Sequence, residues 1–489
     1  MATYTSSPNT GDTLSTQAPN AVRKVWQRGV DIFEQSEDFF RPMEGRARTS
    51  LIQSKIETSK GRGQTIEFTT MAGLYGEPKQ GDELFEDGDD FEEINIDSNS
   101  LVVDFLRHAV RYTERMEEKM GMRGEVAVGL PEELGKWLGR QKTEKLFMMF
   151  LHRGTSDNTK YAGGRGSQDA LLASDTLDYD ETITLVPQLE RLGGRPGFVG
   201  RDMAGNQICK FCVVATTDAL FSLELDPQFK SNLHDADSRG MGNYVFKGGY
   251  HNVRGQIIKK YNPIDHDGWG PIGSPVNPRA ELGTAVTAGT ATFDVEGGGT
   301  AEAAGKSAIF YFKWFPKYDY KFLPGDSLDT SGDPSFYIAV INPDDGSATA
   351  NKFGFYKISA NDGHKLTVEE RLGSAASGIR ATTVGSVTWD AAVNTDAHPL
   401  GSSIVLCNAK GTIIGRTLML GQRAARRGYG KWRNRRTEDS HEGGFVRDIF
   451  ITSVFGQEPR KDVRSRAPGY KVLEHALQVA GTPLNPTTV

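Results

Sequence analysis

The spacing of the apolar residues changes several times along this chain, and each change predicts a different element. Residues 1–19 form a polar arm rich in Ser, Thr, Pro and Asn. Helical spacing then relates Val22, Val25, Trp26, Val30 and Phe33, with Asn20 as the N-cap. Strands are predicted next at Ile52–Ile56 and around Ile66 and Phe68, and again between Ile94 and Phe105.

One long helix is predicted over residues 131–152. Pro131, Glu132 and Glu133 suit a first helical turn, and Gly154 ends the apolar periodicity. Shorter helices are expected near 183–192 and 218–225, on either side of a strand near 208–215. Further apolar runs near 404–406 and 413–420 predict mixed structure, and the run near 448–456 predicts a strand.

Residues 265–400 have a different composition, rich in Ala, Gly, Thr and Ser. The alternating runs AIFYFKWF, SFYIAVI, KFGFYKIS and KLTVEE are separated there by turns containing Pro, Gly or Asp. This stretch is predicted to be an inserted all-β domain.

Composition narrows the class of protein. The 489 residues carry 57 Lys and Arg against 63 Asp and Glu, a net charge of −6 that argues on average against a nucleic-acid binder. The three cysteines cannot form a disulfide framework and indicate a reducing compartment. Neither a signal peptide nor an apolar run long enough to span a membrane is visible, so a soluble cytoplasmic product is expected.

Two short motifs invite a chemical reading, and neither supports it. GGGTAEAAGKSA (297–308) lacks the glycine that a phosphate loop needs at Thr300, and a β-like run follows it instead of a helix. Cys209 and Cys212 have CxxC spacing but lie on a predicted strand, where residues three apart point to opposite faces. The interpretation is a glycine-rich turn and two small core residues, and we predict no catalytic, cofactor or metal residues.

Two charge runs are more informative. The acidic run comprises Asp82, Glu83, Glu86, Asp87, Asp89, Asp90, Glu92 and Glu93, followed by Asp97, and no base lies between Lys79 and Arg107. The basic run extends from Lys410 to Arg436, and its proposed contact face comprises Arg423, Arg426, Arg427, Lys431, Arg433, Arg435 and Arg436. Solvated faces, a calcium loop and a nucleic-acid surface are alternatives. The sharper hypothesis is that the acidic run of one copy docks on the basic face of another.

Several blocks of the chain resemble a known family. KIETSKGRGQTIEF, the acidic run, FLRHAVRYTERMEEKMGMRGEVAVGLPEELGKWL, FKGGYHNVRGQIIKKY, GRTLMLGQRAARRGYG and FITSVFGQEPRKDV occur in the order found in major capsid proteins of podophages related to the coliphage that packages a virion RNA polymerase. The resemblance covers about residues 20–262 and 402–463. The insertion and the segment after Arg464 depart from it.

The resemblance implies an α+β chain with the shell fold of tailed phages and herpesviruses, carrying an inserted β-rich domain. The expected parts are an N-terminal arm (1–35), an extended loop with flanking strands (36–115), a peripheral domain with a spine helix (116–164), an axial domain (165–264), the β-rich insertion (265–400), the axial return (401–444), and a peripheral strand with a C-terminal tail (445–489).

The resemblance also implies a function. The chain is expected to be a non-enzymatic head protein that assembles into hexamers and pentamers of an icosahedral shell around double-stranded DNA. Expected partners are further copies, scaffolding, portal and decoration proteins, and the packaged DNA through weak contacts, with no membrane and no cofactor. Two other functions stay open: an enzyme with a site built from distant residues, and a surface-binding module centred on the insertion.

Overall fold

A computed structural model describes residues 30–71, 76, 79–80, 92, 94, 96–113, 115, 125–152, 156–201, 207–231, 250–253, 255–261, 274–282, 292–294, 312, 314–316, 336–341, 353–362, 365–372, 389–390, 398, 402–431, 434–441, 445–462 and 467–477. The chain divides into two compact units. The first unit comprises residues 1–46, 52–141 and 425–465, and the second comprises 47–51, 142–424 and 466–489. Within the described residues, no helix is both long and apolar enough to span a bilayer.

The helices and strands have the following bounds. The α-helices are α1 (30–37), α2 (Glu125–His152), α3 (Tyr179–Arg191) and α4 (Thr217–Leu225). The strands are β1 (Glu44–Gly45), β2 (Ile52–Ile56), β3 (Thr65–Met71), β4 (Ile96–Val102), β5 (Asp104–Thr113), β6 (Thr159–Tyr161), β7 (Gly197–Arg201), β8 (Gln207–Ala215), β9 (Tyr250–Val253), β10 (Gln256–Lys260), β11 (Arg279–Glu281), β12 (Thr292–Asp294), β13 (Phe336–Ile341), β14 (Phe353–Asn361), β15 (Lys365–Leu372), β16 (Trp389–Asp390), β17 (Ser403–Cys407), β18 (Ile414–Leu420), β19 (Ala425–Tyr429), β20 (Arg435–His441), β21 (Val446–Pro459) and β22 (Tyr470–Ala476).

The first unit is organised around the long strand β21. β5 pairs with one edge of β21, and β20 and β19 pair with successive parts of its other edge. The strand order of the sheet is β1-β2-β19-β21-β20, with β5 beside β21. One face of this sheet packs on the first part of α2 through a core cluster made of Val30, Tyr112, Leu134, Leu138, Ile449 and Ile451. The α1 helix, through Val30, therefore belongs to this core although it lies far from β21 in sequence.

A separate hairpin of β3 and β4 belongs to the same unit. The two strands are antiparallel over seven residues each, from the Thr65–Val102 pair to the Met71–Ile96 pair. Ile66, Phe68 and Leu101 are buried on one face, where they pack with Val103 and Val454. The described residues thus anchor the hairpin on β21 at the end that carries Ile66 and Leu101.

The second unit contains a mixed sheet with the strand order β6-β22-β18-β8-β10-β9, to which β7 adds beside β8. Its main apolar cluster combines α3, α4 and this sheet, with Leu185, Leu220, Phe211, Met419 and Leu473 as members. The predicted strand at 208–215 and the helices near 183–192 and 218–225 match β8, α3 and α4.

The β-rich stretch forms a seven-stranded sheet with the order β11-β17-β13-β14-β15-β12, and β16 pairs with β15. The sheet includes β17 and so continues past the predicted boundary at residue 400. Alternate residues of β13 enter two different cores: Ile338 and Val340 join a cluster within the insertion, while Ala339 and Ile341 join the main cluster of the second unit. The insertion therefore shares a core with the rest of its unit.

Three local predictions are wrong. The long helix begins at Glu125, so Pro131 lies inside α2 and not in its first turn; one missing backbone hydrogen bond does not end the helix. Within the predicted strand AIFYFKWF (308–315), the described residues 312, 314 and 315 form a turn that continues to Pro316. Asn361 Nδ2 donates to three carbonyl oxygens of this turn, those of Phe312, Phe315 and Pro316, at 3.0, 3.4 and 3.1 Å.

The predicted tail after Arg464 is also wrong for residues 467–477, which are buried and include β22. Charged residues in this strand concealed it in the sequence. Their partners lie across the sheet: Arg416 donates to Glu474 at 3.0 Å, and His475 lies 3.0 Å from the Thr417 hydroxyl. A strand with paired polar side chains can be fully buried even though its sequence resembles a solvated segment.

Candidate functional site

The acidic run lies in the excursion between β3 and β4. Glu92 is exposed, and its Oε2 accepts a hydrogen bond from the Gly76 backbone amide at 2.8 Å. The other predicted members of the run, Asp82, Glu83, Glu86, Asp87, Asp89, Asp90 and Glu93, lie outside the described residues. The Gly76–Glu92 contact shows that the two sides of the excursion still approach each other five residues beyond Met71.

The hairpin that carries this run has two unlike faces. Along β3 and β4, alternate residues point to opposite faces, so Met71 and its register partner Ile96 lie opposite the buried Ile66 and Phe68. Met71 is 48% exposed and Ile96 is 62% exposed. The far end of the hairpin therefore presents apolar side chains to solvent, which is typical of a contact surface.

The predicted basic face must be corrected at Arg426 and Arg427. Both residues lie in β19, in the interior of the sheet, and both are buried. The Arg426 guanidinium lies over the Phe68 ring at 5.4 Å, and Arg427 forms an ion pair with Asp38. These two arginines therefore cannot receive a segment of a neighbouring copy.

The other members of that face differ in their positions. Lys431 and Arg435 are exposed, whereas Arg423 is half-buried with a backbone φ of 52°. Arg436 lies in β20, and Arg433 lies outside the described residues. Lys431 and Arg435 are thus exposed basic residues, as the hypothesis of docking by the acidic run of another copy requires.

Arg427 is the centre of a buried network of charges. Its Nη2 donates to Asp38 Oδ1 at 3.2 Å, its Nη1 lies 3.4 Å from Glu44 Oε2, and the Tyr429 hydroxyl donates to the same Glu44 oxygen at 3.0 Å. Burial works against the charged guanidinium, but the neighbouring Asp38, Tyr429 and Glu44 outweigh it and raise the pKa of Arg427. Desolvation opposes ionisation of Glu44 as well, yet Arg427 and Arg41 lower its pKa.

A glycine pair completes the attachment of the N-terminal segment. Gly135 and Gly139, four residues apart on α2, lie against α1, where a Cβ on Gly135 would come within 2.9 Å of the Val30 carbonyl oxygen. Asn434 Nδ2 donates to Asp31 at 2.6 Å and to Glu34 at 2.8 Å. The sequence analysis did not predict this contact between α1 and α2, although the two glycines four residues apart in GKWLG indicate close helix packing.

The two motifs tested for chemistry have different outcomes. The sulfurs of Cys209 and Cys212 do lie on opposite faces of β8, because Cys209 is exposed and Cys212 is buried. Cys209 is therefore not the core residue that was predicted. The GGGTAEAAGKSA motif lies outside the described residues, and among the residues that the structure describes no cluster of His, Cys, Asp and Glu could hold a metal ion.

Known structures resemble this architecture. The capsid of Ralstonia phage GP4 aligns over 91% of this chain and 93% of its own chain, with 12% identity and a TM-score of 0.51. The Cyanophage Pam1 capsid asymmetric unit (10% identity, 91% and 92% coverage, TM-score 0.49) and the head structure of Helicobacter pylori bacteriophage KHP40 (10%, 90% and 91%, 0.49) are also similar. No family model matches the chain, and no curated protein matches it by sequence.

The similarity to the GP4 capsid extends over nearly the whole of both chains. The protein therefore has the α+β shell fold of tailed phages, as the resemblance implied.

Proposed function

We propose that the protein is the major capsid protein of a tailed phage, and that its copies assemble into an icosahedral shell around double-stranded DNA. The observation that carries this proposal is the alignment with the GP4 capsid over 91% of the chain. The relation to podophages that package a virion RNA polymerase rests on the sequence blocks quoted above and belongs to the same proposal.

The proposed mechanism is mutual burial of surface between copies. A standard protein interface buries roughly 1,600 Å², and a shell subunit makes several such contacts. The β3–β4 hairpin suits this role because it is anchored on β21 at one end and exposes Met71 and Ile96 at the other. The acidic run that it carries is proposed to reach a basic surface of a neighbouring copy.

The proposal places the protein in the virion, after synthesis in the cytoplasm of a bacterial host, and gives it a structural role without catalysis. Scaffolding, portal and decoration proteins are proposed as further partners, together with weak contacts to the packaged DNA.

Particle size is the decisive measurement. Purified full-length protein is expected to form closed particles of megadalton mass in sedimentation velocity, with regular shells visible by electron microscopy. A chain that stays monomeric or forms small fixed oligomers, under conditions that span low and high ionic strength and include a molecular crowder, would contradict the proposal.

A further inference from the structure

Three arginines lie together on the surface of the second unit, beside the C-terminal end of α3. They are defined here as the arginine patch: Arg48, Arg191 and Arg195. All three are exposed, and their guanidinium groups form no ion pair or hydrogen bond with any residue that the structure describes. Guanidinium groups that share one surface without carboxylate partners attract an anionic ligand.

Gln422 joins the segment that carries Arg48 to the segment that carries Arg195. Its backbone amide donates to the Arg195 carbonyl oxygen at 2.7 Å, and its Nε2 donates to the Arg48 carbonyl oxygen at 2.5 Å. The Phe198 amide donates to the Thr49 carbonyl oxygen at 2.6 Å. Arg48 and Arg195, far apart in the sequence, are therefore neighbours on the surface.

The turn that ends α3 brings Arg191 to the same place. The Gly193 amide donates to the Glu190 carbonyl oxygen at 2.9 Å, and the φ of Gly193 is 92°, a left-handed conformation that favours glycine. The chain reverses its direction at this turn. Arg191 and Arg195 are four residues apart, so their Cα atoms lie within about 14 Å of each other.

The backbone beneath the arginine patch is fixed by close packing. A Cβ on Gly194 would lie 2.7 Å from the Pro468 carbonyl oxygen, and a Cβ on Gly197 would lie 2.5 Å from Leu51 Cδ2. The segments therefore touch with no space for a side chain between them. A partner of the patch would bind a preformed surface and would have only the arginine side chains to order.

Carboxylates are scarce around the arginine patch. The segments that meet here are residues 47–51, 190–198, 421–424 and 467–471. They contain five bases and one acid, Glu190. The whole chain carries a net charge of −6, so the excess of positive charge is local to this surface.

The surroundings of the patch favour a polyanion over a protein partner. A protein interface has an apolar centre with charges at its rim. Apart from the arginines and Glu190, the exposed residues of these segments are Ala47, Gly193 and Pro196. Each of the large apolar side chains that the structure shows as exposed lies in another part of the chain. The patch thus offers charge without an apolar centre.

The phosphate backbone of a DNA duplex matches this chemistry. A guanidinium group binds phosphate oxygens through two parallel N–H donors. A duplex carries one negative charge per about 1.7 Å of its axis, so a length of about 14 Å presents roughly eight charges to three arginines.

We infer that the arginine patch binds the phosphate backbone of double-stranded DNA without reading its sequence. This inference rests on the proposed shell function, and it assigns the weak contact with packaged DNA to three named residues. Because phosphate contacts release counterions, the binding weakens as the salt concentration rises.

The salt dependence of DNA binding tests the arginine patch. Unassembled full-length protein is titrated into a fluorescently labelled duplex, and anisotropy gives the affinity between about 50 and 200 mM salt. Each lost phosphate contact lowers the slope of log affinity against log salt by about 0.9. The variant Arg48→Gln/Arg191→Gln/Arg195→Gln should therefore have a slope about 2.7 smaller. Over this interval the wild type should lose about 40-fold more affinity than the variant.

A second variant separates loss of charge from loss of structure. Arg48→Lys/Arg191→Lys/Arg195→Lys keeps the three charges and should keep most of the slope. Because the three side chains are exposed, both variants should keep the far-ultraviolet spectrum and the melting profile of the wild type.

The matched control removes the same charge elsewhere. Arg107→Gln/Arg115→Gln/Arg140→Gln replaces three exposed arginines of the first unit and should leave the slope unchanged. An equal loss of slope in this control would show that only net charge matters and would overturn the inference.

The remaining outcomes separate the inference from the proposed function. A wild type that does not bind the duplex, or a glutamine variant with an unchanged slope, would overturn the inference, and shells formed by the wild type would leave the proposed function intact. A wild type that forms no shells would overturn the proposed function. A glutamine variant that keeps its slope but no longer assembles would assign the patch to a contact between copies and would also overturn the inference.

Discussion

Arg427 and Asp38, 389 positions apart in the sequence, form a two-armed ion pair with both side chains fully buried. The Arg427 guanidinium also lies 5.8 Å from the ring centres of Phe40 and Phe455. Phe40, like Asp38, belongs to the segment that follows α1, and Phe455 lies in β21. This pair therefore fixes the N-terminal segment on the sheet of the first unit.

Removing one partner of this pair should be costly. Arg427→Met leaves Asp38 buried without its cation and Glu44 with Arg41 alone, and we expect a loss of about 3–5 kcal/mol in the free energy of unfolding. Urea denaturation followed by tryptophan fluorescence measures it. The double variant Arg427→Met/Asp38→Leu removes charge from both sides and should recover part of the loss. A single variant within 1 kcal/mol (about a fivefold change in equilibrium) of the wild type would contradict a structural role for the pair.

Gly139→Ala should destabilise the first unit although alanine is the better helix former. A Cβ at this position would lie 2.6 Å from the Glu34 carbonyl oxygen and 3.0 Å from the Glu37 Cβ, so α1 must shift. Such overpacking costs about 1–3 kcal/mol, against a gain of about 1 kcal/mol from helix propensity. Arg140→Ala, on the exposed side of the same helix, is the control and should be nearly neutral. Greater stability of Gly139→Ala in urea would show that α1 does not pack closely on α2.

His475 should make the protein sensitive to acid. Burial lowers the pKa of this histidine to about 4, and this effect outweighs the hydrogen bond between Nδ1 and the Ala476 carbonyl oxygen at 3.0 Å, which by itself would raise the pKa. An unfolded histidine titrates near 6.5, so the unfolded state takes the proton first and stability falls as the pH drops from about 6.5 to 4, by up to ~3 kcal/mol.

The variant His475→Gln isolates this contribution from the carboxylates that also titrate in acid. Its free energy of unfolding, measured by urea titration at a series of pH values, should depend less on pH over the interval from 6.5 to 4 than that of the wild type. Parallel curves for the two proteins would show that His475 does not control the acid response.

Deleting residues 275–395 should prevent folding of the second unit. A freestanding decoration domain could be removed with shells intact, but Ala339 and Ile341 belong to the main core cluster of this unit, and Tyr337 and Phe355 pack on it. The truncated chain is expected in the insoluble fraction, because its remaining core would be open to water. Soluble shells from the truncated chain would show that the insertion is an independent domain.

The sequence was sufficient to predict many of the helices and strands from their apolar residues, and to predict the class of fold from the family resemblance. Apolar runs and their spacing located α3, α4, β8 and three strands of the insertion, β13, β14 and β15. β22 was missed because its polar residues, Lys471, Glu474 and His475, are buried. Their partners come from other strands and loops, and pairing of this kind is not visible in a local window of sequence.

The candidate site, too, could be predicted from the sequence only in part. The charges of the two runs could be read directly, but burial of Arg426 and Arg427 could not, since it depends on Asp38, Glu44 and Phe68 in distant segments. Lys60 and Arg107 are brought close to Lys431 and Arg435 only by backbone pairing, since the Lys431 amide donates to the Lys60 carbonyl oxygen and Thr452 is the register partner of both Arg107 and Arg435. The composition of a surface follows from the sequence only after the pairing of strands is known.

The sheet of the first unit also has a consequence for the timing of synthesis. β2 pairs with β19 in parallel, and Glu44 meets Arg427 across 383 positions of chain. At translation rates of about 5–20 residues per second, roughly 20–80 s pass between the emergence of the first segment and that of its partner. During that interval the edge of β2 has no β19 beside it and β21 does not yet exist. A nascent chain thus lacks the complete sheet of the first unit, and only a subunit translated through β21 is competent to join its neighbours.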